Sequence, residues 1–128
     1  MSSQTVYIVD DDPDIRRSLS TLLRTIRLPV ETYESAQRFL AAVTPEHSGC
    51  VIIDLRLPDM SGRELQARLK QVRAKLPVLF LSAFGDIQTA VAAMKDGAVD
   101  FLVKPCPGAQ LLDRVKAAIE RCHAHREH

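Results

Sequence analysis

The chain has 128 residues, 46% of them hydrophobic and 26% charged, a composition that fits one globular domain with a real core and excludes a disordered or fibrous chain. Lys and Arg number 17 against 16 Asp and Glu, a net charge of +1, too even to give the electrostatic footprint of direct DNA or anionic-membrane binding. Three irregularly spaced cysteines, Cys50, Cys106 and Cys122, argue against a disulfide framework and fit a reducing cytoplasm.

In chain order, Val6 to Val9 is a short β-rich run, too short for a helix and ended by carboxylates, so neither a leader peptide nor a membrane span is expected there. Asp12-Pro13 supplies an N-cap residue and then the proline suited to a first helical turn. Ile15, Leu19, Leu22, Leu23 and Ile26 follow on one helical face, which Pro29 ends. Val30 to Tyr33 reads as a second strand, and Ser35 opens a second helix carrying Phe39, Leu40 and Val43. After a turn over 45–49, Cys50 to Ile53 is apolar throughout, as in a strand buried on both faces.

Ser61 and Glu64 have the spacing of a capping box for a third helix with Leu65, Leu69 and Val72 on one face. Pro77 to Leu81 is a fourth strand. Ile87, Ala90, Val91 and Met94 recur at helical spacing, with Gly97 placed to cap the end. Val99 to Val103 is a fifth strand, and Pro107 precedes a last helix with Leu112, Val115, Ile119 and Cys122 on one stripe. Strict alternation of five strands and five helices predicts right-handed βαβ crossovers and an α/β fold, a doubly wound parallel sheet with helices on both faces. Ligands of such sheets bind beyond the carboxyl ends of the strands.

Those ends carry a coherent set: Asp10, Asp11 and Asp12 after the first strand, Asp54 after the third, Ser82 after the fourth and Lys104-Pro105 after the fifth. Glu34, after the second, has no assigned role. Parallel neighbours lie about 4.8 Å apart, so Asp54 and one or two of the N-terminal aspartates share a small volume. Like charges at that separation raise a pKa or recruit a cation, and hard oxygen ligands suit Mg²⁺. The plainer alternatives are that the aspartates cap the first helix, that Asp54 starts a turn and that Lys104 reaches out from a sheet edge. Asp12 is the natural cap, which leaves Asp10 and Asp11 for the pocket.

Four segments, VYIVDDD at 6–12, DLRLPDMSG at 54–62, LSAFGD at 81–86 and GAVDFLVKP at 97–105, resemble the receiver domain of bacterial two-component response regulators, closest to the FixJ-type group. The resemblance implies a flavodoxin-like (βα)5 fold with strand order 2-1-3-4-5, and a receiver domain over 1–122. Residues 123–128 would be a flexible tail, or a linker cut short of an output domain. It implies that Asp54 is the phosphoacceptor and that Asp10, Asp11, Asp54 and the backbone carbonyl of Arg56 hold Mg²⁺. Ser82 and Lys104 would contact the phosphoryl group, Lys104-Pro105 would be a cis peptide, and Ser82 and Phe101 would form the switch.

The same resemblance implies a cytoplasmic protein with a sensor histidine kinase as partner, phosphorylation-dependent homodimerisation through the face from Ile87 to Val103, and DNA contact only through an absent output domain. Cys106 followed by Pro107 departs from the family, where an apolar, often aromatic, residue usually follows the Lys-Pro pair. A haloacid-dehalogenase-type phosphohydrolase is the rival reading of the aspartates, but Asp14 and Ala90 stand where it needs other residues. A flavodoxin-like cofactor binder would need a Ser/Thr/Gly-rich loop where this chain has carboxylates. His47 reads as a turn residue, and Cys122, His123, His125 and His128 as a solvated end rather than a metal site.

Overall fold

The computed structural model describes residues 4–83 and 86–126, with side chains as far as residue 121. Its elements alternate as β1 (Thr5–Val9), α1 (Pro13–Arg24), β2 (Val30–Tyr33), α2 (Ala36–Ala42), β3 (Gly49–Ile53), α3 (Gly62–Val72), β4 (Val78–Ser82), α4 (Ile87–Lys95), β5 (Asp100–Val103) and α5 (Gly108–Arg126). All strand pairings are parallel and the order is β2-β1-β3-β4-β5, the flavodoxin-like arrangement expected.

The three central strands are buried from end to end. Because side chains alternate across a strand, each feeds two cores. Tyr7, Val9, Val51, Ile53, Val78 and Phe80 join Phe39, Leu65, Leu69 and Ala93 on the side of α2, α3 and α4. Val6, Ile8, Cys50, Ile52, Leu79 and Leu81 join Leu19, Leu23, Leu111 and Val115 on the side of α1 and α5. Burial of each large aliphatic or aromatic side chain contributes about 1.5–3 kcal/mol, and the continuous apolar runs of β3 and β4 follow from having no solvent face.

Helix starts follow residue type. Asp12 accepts a hydrogen bond from the Asp14 N–H at 2.9 Å, Ser35 from Arg38 at 3.2 Å and Ser61 from Glu64 at 3.0 Å, and the two serine caps are each worth about 1 kcal/mol. Asp86 caps α4 by accepting from the Thr89 N–H at 2.7 Å, and this bond holds its carboxyl below the usual range. Gly97, at φ +105°, ends α4 as expected: the Gly97 N–H donates to Met94 and the Ala98 N–H to Ala93, which closes the helix on a left-handed residue.

Two details differ from the sequence pattern. The buried line of α5 is Leu111, Val115 and Ala118, with Leu112 and Ile119 only half-buried, because small Ala118 fits against the sheet while carrying little hydrophobic signal. The Cys122 side chain lies outside the described residues, as do those of His123, His125 and His128. The backbone of α5 runs on to Arg126, past the boundary placed at 122. Among the described residues no helix is long and apolar enough to cross a membrane.

Both tyrosines sit in this framework. Burial, then the hydrogen bond and charge of Glu31, push the Tyr33 phenol up to about 12, and burial followed by Glu31 also raises Tyr7. An absorbance titration is therefore expected to show Tyr33 almost wholly protonated at pH 10 in the folded chain and Tyr7 less than half ionised, where free tyrosine is half ionised. The phenols hold their protons longer folded than unfolded, so their contribution to stability is complete below pH 10 and is lost as pH rises through their raised values, about 12 for Tyr33. Half-ionisation of both near pH 10 without unfolding would contradict this.

Candidate functional site

Strand register sets the site. Val9 of β1 lies beside Ile53 of β3, and Ile53 beside Phe80 of β4, itself beside Phe101 of β5. Asp10 and Asp54 therefore emerge side by side at the carboxyl edge, while β4 and β5 run on to the paired residues Ser82 and Val103, just ahead of Lys104. The Asp54 N–H donates to Val9 O at 3.1 Å, which draws Asp54 against the end of β1. Asp10, Asp11 and Asp54 each offer a carboxylate oxygen, and these atoms all lie within 4.8 Å of one another. Asp10 is 3% exposed and Asp54 7%, while Asp11 is exposed.

Lys104 reaches the same crater from β5. Its Nζ donates to Asp10 Oδ2 at 2.8 Å and lies 3.6 Å from Asp54 Oδ2. The other Asp10 oxygen accepts from the Asp12 N–H at 2.9 Å. Three carboxylates face one ammonium, an excess of negative charge in a largely buried place, where uncompensated charge is costly. Asp54 Oδ1 is buried and has no hydrogen-bond partner. An anionic oxygen without a donor, next to two more carboxylates, is what a hard dication such as Mg²⁺ satisfies, so the residues fit the ion that the sequence implies.

The loop after Asp54 is tightly built. Arg56 bridges Ser61 in antiparallel fashion and the Gly62 N–H donates to Leu55 O at 2.8 Å. A Cβ on Gly62 would lie 2.4 Å from the carbonyl oxygen of Asp54, so only glycine lets α3 start this close behind it. Asp59, at the tip, accepts from the N–H groups of Ala36 at 3.2 Å and Gln37 at 2.7 Å, and so ties the loop to the start of α2.

Ser82 ends β4 fully buried and is paired with Val103. Phe101 is half-buried, its ring 5.8 Å from that of Phe80. The Lys104–Pro105 peptide is cis. Cys106 is half-buried with its thiol pushed up by burial, and α5 starts regularly behind it, the Leu111 N–H donating to Pro107 O. Glu34 pairs with Arg38 at 3.8 Å on the surface and takes no part in the crater. His47 packs edge-on against Tyr7, away from it.

Pattern reading of the sequence did not single out Asp59, or Arg16, whose guanidinium donates to Asp10 O at 2.8 Å. Both are single polar residues that act across elements, and neither periodicity nor spacing marks such contacts.

Residues 6–116 match the family model of the response regulator receiver domain. The chain belongs to that family. The receiver domain is 47% identical over 118 residues to the transcriptional regulatory protein TdiR of Thauera aromatica, covering 92% of this chain and 52% of that protein. It is 38% identical over 120 residues to the transcriptional regulatory protein FixJ of Rhizobium meliloti (strain 1021), covering 94% and 59%, as expected for a FixJ-type receiver. The solved structure of response regulator StyR superposes with a TM-score of 0.92 at 40% identity, covering 98% of this chain and 64% of that one. The receiver domain thus spans little more than half the length of the curated relatives it matches.

Proposed function

We propose that this receiver domain accepts a phosphoryl group on Asp54 from the phosphohistidine of a sensor kinase. The carboxylate oxygen attacks phosphorus, the P–N bond breaks with its electron pair going to nitrogen, and the ring, protonated on its other nitrogen, leaves as neutral imidazole. The observation that carries this reading is Asp54 itself: 7% exposed, Oδ2 facing Lys104 and Oδ1 without a donor. Phosphoryl transfer needs in-line positioning and neutralisation of the equatorial oxygens more than covalent help. Lys104 supplies an ammonium and Ser82 a hydroxyl for those oxygens. Asp10, Asp11, Asp54 and the Arg56 carbonyl would hold Mg²⁺, which supplies positive charge against the phosphoryl oxygens when bound.

The acyl phosphate adds charge and three acceptor oxygens to the crater. Ser82 turning to one of them frees room for Phe101, which packs on Phe80 one strand away. The readout is the face of α4, β5 and α5, where Ile87 is 83% exposed, Val91 48%, Met94 44% and Val103 54%. Exposed apolar side chains gathered on one helix and the neighbouring edge strand fit a homodimer interface. Output by transcription is supported by the names of the relatives, and contact with DNA through an output domain belongs to the same proposal. The domain runs from residue 1 to about 122, acts in the cytoplasm and is no enzyme of independent turnover, since each chain stores the group that it takes.

Intact-mass measurement after incubation with acetyl phosphate tests the assignment. The mass of one phosphoryl group is expected on the wild type with Mg²⁺, and none with chelator or on Asp54→Asn. Light scattering of the same samples should show a dimer only where the mass has increased. Equal loading of Asp54→Asn would retire Asp54, and a loaded monomer would retire the interface.

A further inference from the structure

α4 is the helix held least by its core contacts: Ala93 is its single buried residue, while its large apolar side chains face outward. What fastens it is polar. Gln66 of α3 is 3% exposed and donates from Nε2 to Ala93 O at 3.0 Å. The Gln66 Oε1 accepts from Arg63 Nε at 3.1 Å. The Arg63 guanidinium in turn grips the carboxylate of Asp96, the C-cap residue of α4. A negative charge at a helix C-terminus opposes the helix dipole, so Asp96 has no reason to favour α4 except through Arg63. The bridge therefore runs Asp96–Arg63–Gln66–Ala93 O and joins the end of α4 to the first two turns of α3, which abuts the Asp54 carbonyl at Gly62.

We propose that this bridge is a latch that holds α4 in its unloaded position, with Arg63 and Gln66 as positioning residues for the switch. The proposal rests on the loading of Asp54 described above. Two contacts cross from α3 to α4, Gln66 Nε2 to Ala93 O and Arg63 to Asp96, and the Arg63–Gln66 bond within α3 couples them. A displacement of α4 breaks both crossing contacts together and makes the change two-state. Loading shifts the receiver toward the displaced arrangement. By linkage, whatever weakens the latch must tighten binding of a phosphoryl mimic.

Gln66→Leu removes the amide at similar volume and leaves no orphan on α4, because Ala93 O still accepts from the Ala98 N–H at 3.0 Å. Asp96→Asn, at a half-exposed side chain, weakens the other end without touching the core. Beryllofluoride affinity is measured with Mg²⁺ for the wild type and both variants, with amide deuterium exchange on the unloaded chains. Gln66→Leu is expected to bind the mimic roughly three- to tenfold more tightly, as loss of one buried hydrogen bond implies, and Asp96→Asn should shift the same way. Exchange should quicken across 87–97 and stay unchanged in β1 and β3. A loss of fold alone cannot tighten binding. Unchanged or weaker affinity in the variants, or faster exchange throughout the sheet, overturns the latch while leaving Asp54 as phosphoacceptor. Failure of the wild type to bind beryllofluoride overturns both.

Discussion

Lys104→Met is expected to lower stability in chelator at pH 7 by about 3 kcal/mol and to slow loading of Asp54 by acetyl phosphate about a hundredfold. The methionine keeps most of the apolar stem but removes the ammonium that faces Asp10 at 2.8 Å and Asp54 at 3.6 Å. Breaking a buried ion pair costs about 3–5 kcal/mol because the remaining charge stays buried. The Lys104 side chain is 18% exposed, which puts the loss at the lower end of that range through solvent screening. On the reaction side, removing one preorganised charge from a developing oxyanion costs roughly 10²–10³ in rate. Added Mg²⁺ should restore more stability to the variant than to the wild type, since a dication replaces the missing charge. Urea unfolding with and without Mg²⁺ reads this directly. A variant as stable as the wild type in chelator would mean that the carboxylates are not the source of strain.

Gly49→Ala is expected to cost more than about 4 kcal/mol, the range reserved for severe steric or packing errors. Gly49 opens β3 at φ +128°, and a Cβ there would lie 1.9 Å from the Thr5 carbonyl oxygen and 2.6 Å from the Thr5 nitrogen. Thr5 is its register partner on β1, so the methyl group fits only if the two central strands part. Those strands end at Asp10, Asp11 and Asp54, and any variant chain that still folds should load poorly. Gly97→Ala is the control: its φ is +105° with nothing within 4 Å, so it should cost only backbone strain, about 1–2 kcal/mol. Equal urea midpoints for the two variants would refute the steric argument.

The fold was legible because its signals are local. Asp12-Pro13, Ser35 and Ser61 mark helix starts by residue type, and they cap those helices in the structure. The uninterrupted apolar runs of β3 and β4 announce strands covered on both faces. The crater was legible for a related reason: a charged residue directly after such a run must emerge at the sheet edge, and parallel neighbours bring those edges together. Periodicity, however, identifies a face without saying what covers it. Ile87, Val91 and Met94 have the spacing of a core stripe and point into solvent. In α5 the stripe slipped by one residue at Leu111 and Ala118, since alanine counts for little in a hydrophobicity pattern and for much in close packing. Gln66, Arg63, Asp59 and Arg16 were illegible because their partners sit on other elements, 33 positions away for Arg63 and Asp96.

The grip of Asp59 on the first amides of α2 gives the crater unequal banks. On one side the segment that follows Asp54 is moored at its tip to a neighbouring helix, closed by the Gly62–Leu55 hydrogen bond and packed without spare room behind the Asp54 carbonyl. On the other side stands α4, which has one buried residue to anchor it. If Asp54 is loaded as proposed, strain introduced at the floor is relieved where resistance is lowest, and the contacts are stiff toward α2 and sparse toward the apolar surface of α4.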